Sequence, residues 1–174
     1  MLYEFDGRTP QVSPNAYVSE LATVIGDVVI AADCYIGHGA ILRGDYGRIE
    51  IGPGTAVEEG VIVHAPPEQV SEIGKSVTLG HGAIVHSKRI GDYAVIGMGA
   101  VLSIWSEVGE WAIVAEGGIV RLKQSIPARV VVGGNPAVAI RDISENDQAM
   151  WNYGKQLYVD LAAKYLRVGI HAIG

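Results

Sequence analysis

The stretch Ile90-Gly91-Asp92-Tyr93-Ala94-Val95-Ile96-Gly97-Met98-Gly99-Ala100-Val101-Leu102 repeats one pattern every six residues. An aliphatic residue is followed by glycine in two of the three cases, and a small residue stands two positions before the next aliphatic. Forward from Leu102 the same step reaches Val108, Val114, Val120, Ile126, Val132 and Val138 without interruption. Backward, a one-residue slip leads to Val85, Leu79 and Ile73. Two longer breaks, at Ala65-Pro66-Pro67 and Tyr46-Gly47-Arg48, then separate the sets Val63, Val57, Ile51 and Leu42, Ile36, Ile30, Val24, Val18, Val12. An α-helix repeats near 3.6 residues and a strand at 2, so a period of six is neither alone. It fits short strands joined by tight turns, with one aliphatic side chain pointing inward per strand. The glycines after the aliphatic positions, such as Gly52, Gly74, Gly91 and Gly109, are expected to permit the turns.

This is the hexapeptide pattern of a parallel β-helix. With three strands to a coil, it predicts an all-β solenoid of about seven coils. Residues 1–11 cap one end and residues 12–140 form the solenoid. Residues 141–174 form a C-terminal helix and tail. Ser144, with Asp147 three residues on, caps a helix over about 144–166. Met150, Leu157, Leu161 and Tyr165 lie roughly on one face of it and are expected to pack on the solenoid.

Composition narrows the function classes. The net charge is −6 with no Lys/Arg cluster, which disfavours nucleic acid as a partner. No apolar run has the length of a membrane span, and the start lacks the pattern of a signal peptide. A single cysteine fits a reducing compartment, so the expected location is the cytoplasm.

The period also places the histidines. Positions three hexads apart share a corner, one coil apart, and neighbouring strands lie about 4.8 Å apart. Arg43, His64 and His86 follow Leu42, Val63 and Val85 and therefore form one column, with His64 and His86 adjacent. His38, Glu59 and His81 form a second column on another corner. His81 reaches the His64/His86 pair only from a neighbouring subunit, as in a cyclic trimer. Three imidazoles with one open position make a catalytic zinc layout. His38 and His171 have ordinary packing or surface roles as the simpler reading, and Cys34 fills a small core slot.

Arg43-Gly44-Asp45, Val61-Ile62-Val63-His64 and Leu79-Gly80-His81-Gly82-Ala83-Ile84-Val85-His86, with Val132-Gly133-Gly134-Asn135-Pro136-Ala137 downstream, resemble the γ-class carbonic anhydrases. The likeness is to their compact ferripyochelin-binding or carnitine-operon-like branch, over nearly the whole chain. The resemblance implies left-handed winding and a homotrimer with metals at the subunit interfaces. It implies His64 and His86 from one subunit and His81 from the next as ligands of zinc, or of iron or cobalt. The implied activity is hydration of CO2, a small-molecule substrate, to bicarbonate by a metal-bound hydroxide. Arg43 and Asp45 match the family's ion pair across the interface, and Tyr158 matches a tyrosine that reaches the site. Ala56-Val57-Glu58-Glu59 departs from the usual Asn-x-Gln-Asp. An ionised Glu58 cannot donate a hydrogen bond as the family glutamine does, but can serve as a base. Glu58, Glu59 and Tyr158 are thus the catalytic candidates. Competing readings are metal-dependent hydrolysis of acyl-CoA thioesters, metal-free acyl transfer using His38 or His81, and a scaffold with a structural metal.

Overall fold

The structure is a computed structural model and describes residues 1–173. The chain winds as a left-handed parallel β-helix of about seven turns, closed by one C-terminal helix. Its three faces can be named by what they carry. On the histidine face, inward residues run in register from Val24 through Leu42, Val63, Val85 and Leu102 to Val120. On the acidic face they run from Val12 to Ile126, and on the helix face from Val18 to Val132. Strands Thr23–Ile30 and Ile41–Ile51 bend around a corner, so the first two faces form one twelve-stranded sheet and the helix face a separate eight-stranded one. From Val12 to Val132 the hexad aliphatics fill the core, with Val12 and Val18, in the open first coil, partly exposed. Residues 1–11 are more than a cap, because Leu2 and Tyr3 add a strand beside Val24 and Ile25.

Three expectations need correction. Val138 is not an inward position. It is 59% exposed in strand Val138–Asp142, which turns back antiparallel to Val130–Gly133. Buried Ala137 ends the coil, its N–H donating to the Ile119 carbonyl at 2.8 Å. The two breaks in the period differ: Tyr46-Gly47-Arg48 is an irregularity inside strand Ile41–Ile51, while 65–69 is a loop that packs on Gly47.

The glycines after the aliphatics serve coil-to-coil closeness and not turn geometry. A side chain on Gly91 would strike the backbone of Gly109 and Glu110. The left-handed turn residue comes three after the aliphatic, as at Gly82 and Gly99, and Trp105 and Trp111 adopt the same conformation with side chains.

The helix spans Glu145–Val168. The Asp147 N–H donates to Ser144 Oγ at 3.1 Å, and Asp147 Oδ2 accepts the Ser144 N–H at 2.8 Å, which completes a capping box. Its packed face is Trp151, Lys155, Tyr158, Ala162 and Tyr165, a spacing of four, three, four and three. Leu161 joins that contact, but Met150 and Leu157 point outward and are exposed. The rotation is set by two anchoring patches on the helix face, Tyr17 and Tyr35 at one end and Val95, Ile113 and Val131 at the other. Among the described residues no helix is long and apolar enough to cross a membrane.

Candidate functional site

The first column forms because Arg43 pairs in register with His64, and Val85 pairs in register with Val63, so that His86 follows beside His64. The rings of His64 and His86 stack with centroids 4.7 Å apart and planes 27° apart. The Arg43 guanidinium has only donors, so its contact at 3.2 Å makes His64 Nδ1 the acceptor. His64 Nε2 then carries the proton and donates to Asp45 Oδ1 at 3.1 Å. Arg43 and Asp45 themselves pair at 2.7 Å within the chain. Partial burial works to raise the Asp45 carboxyl, but the hydrogen bond and charge of Arg43 outweigh it and hold the carboxyl below its usual range. Burial, and then the neighbouring His64, lower the pKa of His86. Its Nε2 is buried with no hydrogen-bond partner. An orphaned buried nitrogen is costly unless something outside the chain meets it.

The second column is stacked through its main chain. Gly60 N–H donates to the His38 carbonyl, Gly82 N–H to that of Glu59, and Gly99 N–H to that of His81. His81 Nδ1 lies 2.8 Å from Glu59 Oε2, and its Nε2 lies 3.1 Å from Glu58 Oε2. The Tyr35 hydroxyl donates to Glu59 Oε1 at 2.6 Å. Burial works to raise Glu59, but the Tyr35 hydrogen bond and nearby His81 bring it below its ordinary value. Glu58 is only 5% exposed, and burial raises its pKa against the opposing pull of His81 and Tyr158. Tyr158 reaches this cluster from the helix, and burial followed by the charge of Glu58 pushes its hydroxyl pKa up.

His81 stays apart from the His64/His86 pair. Among the described residues no three His, Cys, Asp or Glu side chains of one chain converge to hold a metal ion. His38 lies at the base of the helix, 2.6 Å from Ser19 Oγ, with its ring edge-on to Tyr17 and Tyr165. Packing accounts for it.

Two residues of this region were not singled out from the sequence. Tyr35 precedes an inward aliphatic and so faces outward, in register with Tyr17. The heptad spacing of Tyr158 and Tyr165 on the helix was the available clue to a tyrosine cluster there. Lys155 is buried between the two helix anchors. Its Nζ donates to Thr78 Oγ1 at 3.1 Å and to the Ala94 carbonyl at 3.2 Å. Burial lowers its pKa to about 7 against the attraction of Glu58.

No family model matches the chain. It is 37% identical over 163 residues to the carnitine operon protein CaiE of Proteus sp. (strain LE138), covering 94% of this chain and 83% of that protein. It is 35% identical over 161 residues to the mitochondrial gamma carbonic anhydrase 2 of Arabidopsis thaliana, covering 89% of this chain and 58% of the longer plant protein. Among solved structures, a hexapeptide transferase family protein from Anaplasma phagocytophilum superposes with a TM-score of 0.89 at 30% identity, covering 94% of this chain and 97% of that one.

Proposed function

Because the chain belongs to the γ-carbonic anhydrase branch of the hexapeptide-repeat proteins, we propose that it is a metalloenzyme hydrating CO2 at the interfaces of a homotrimer. The observation that carries this reading is the stacked His64/His86 pair, with His86 Nε2 buried and unpartnered. His81, presented on another corner, completes a three-imidazole set only across a subunit boundary. Zinc is the metal that such a set suits best, with iron or cobalt as alternatives.

The outer surface supports the assembly. Ile41, Ile62, Ile84, Val101 and Ile119 stand in register on the outside of the histidine face. Ile41, Ile62 and Ile84 are 37%, 38% and 45% exposed. The helix covers one of the other faces, and the third carries Glu50, Glu72, Arg89 and Glu107 outward. An aliphatic ladder beside an incomplete histidine set reads as a subunit contact.

Bound zinc would supply a Lewis acid and make hydroxide available near neutral pH. The chain supplies the rest. To serve as a neutral ligand through Nε2, His64 would have to give up its bond to Asp45 and carry its proton on Nδ1. The donor-only Arg43 guanidinium would then leave Nδ1 and stay paired with Asp45. Glu58, backed by Tyr158, sits where a group on His81 Nε2 would meet it and is placed to orient water.

The test is stopped-flow CO2 hydration by protein prepared without air and reconstituted with zinc or iron. Turnover well above the uncatalysed rate, abolished in His64→Ala, is expected. A fully metallated protein without turnover would overturn CO2 as the substrate, and acyl-CoA thioesters would be assayed next.

A further inference from the structure

Two carboxylates touch the His81 ring, one at each nitrogen, and a metal can displace only one of them. The two contacts differ. Glu59 uses both oxygens: Oε1 takes the Tyr35 hydroxyl at 2.6 Å and Oε2 lies 2.8 Å from His81 Nδ1. Tyr35 is 2% exposed and packs among Tyr17, Tyr158 and Tyr165, with ring centroids 5.5, 5.2 and 6.1 Å away. Its hydroxyl is therefore a fixed point. Glu58 meets His81 Nε2 at 3.1 Å with an oxygen that also accepts the His81 main-chain N–H at 3.1 Å. That ring contact is longer, and the main-chain bond survives its loss.

We infer that Tyr35 and Glu59 form a brace that fixes the His81 ring through Nδ1 and leaves Nε2 as the metal-facing nitrogen, with Glu58 giving way. This rests on the reading of His81 as a ligand. Metal-bound histidines commonly donate their second ring N–H to a carboxylate, and removing that partner costs about 10–100-fold in metal affinity. The brace has a particular use here. The His81 side chain is 47% exposed and is offered to another subunit, so its orientation has to be set from within its own chain. An imidazole ordered in advance loses less conformational freedom on binding. Tyr35 is a positioning residue in this scheme.

The experiment compares wild type, Tyr35→Phe and Glu59→Ala by zinc competition with a chromophoric chelator. It adds 15N-detected spectra of the His81 ring, with and without zinc, and circular dichroism melts. Tyr35→Phe keeps the ring stack and is expected to lose about tenfold in zinc affinity, Glu59→Ala more. In wild type Nδ1 carries the proton and Nε2 the metal shift. A purely structural Tyr35 would change the melt and leave zinc affinity untouched. That result, or a metal shift on Nδ1, would overturn the inference. If wild type takes up no zinc, the proposed function falls separately. The metal-free spectrum then decides the brace, by whether the His81 Nδ1 proton signal shifts in both Tyr35→Phe and Glu59→Ala.

Discussion

Lys155 shows what a single residue can hide. By spacing it belongs to the packed stripe with Trp151, Tyr158 and Ala162, but a lysine on an amphipathic helix reads as solvent-facing. Its burial follows from the helix rotation, which depends on tyrosines far away in the sequence. Its folded pKa, about 7, lies below the ordinary 10.5, so folding disfavours the ammonium. Below about pH 7 both states are charged and the penalty is full. Between about 7 and 10.5 the folded state gives up its proton first, the unfolded state binds more protons, and stability climbs with pH. Each pKa unit corresponds to about 1.4 kcal/mol, so the effect amounts to a few kcal/mol. Lys155→Met is expected to be more stable than wild type at pH 7, with the difference shrinking toward pH 10 in chemical denaturation. A difference independent of pH would contradict the assignment. The histidine columns, by contrast, were legible at this scale, because a period of six counts coils and so places His64 beside His86. The contacts among Tyr35, Glu59 and His81 were not, since they depend on side-chain reach between coils.

At the scale of the element, the repeat separates two kinds of glycine that look alike in sequence. Gly91 lies against the next coil's backbone, where a methyl group has no room. Gly99 has open space but a left-handed φ of 67°. Gly91→Ala is expected to destabilise by about 3 kcal/mol through overpacking. Gly99→Ala should cost about 1–2 kcal/mol from conformation alone, and Gly99→Asn less. Equal losses at the two sites in urea titrations would refute the distinction. The strand positions were readable because each inward aliphatic marks one strand, except in Thr23–Ile30 and Ile41–Ile51, which carry two each around a corner. The end of the solenoid was not. Val138 continues the period in sequence, yet the chain has already reversed into an antiparallel strand. Periodicity records which residues are aliphatic and carries no information on chain direction. The helix start was legible from Ser144 and Asp147, whereas its packed face was not, as Met150 and Leu157 show.

For the whole molecule, the three faces divide the work. One is covered by its own helix, one carries charge to solvent, and one presents aliphatic residues and the unfinished histidine pair. The central claim is that a neighbouring chain finishes that pair, and mixed assemblies test it directly. His81→Ala and His86→Ala chains are each expected to fold and assemble, and each alone to bind no zinc. Unfolded together and refolded, they form mixed trimers. Any such trimer has a single interface where intact His64 and His86 face an intact His81. Native mass spectrometry should therefore find one zinc in each mixed trimer and none in the unmixed ones. Mixed trimers without zinc, or either variant alone with a full complement, would contradict a site shared between subunits.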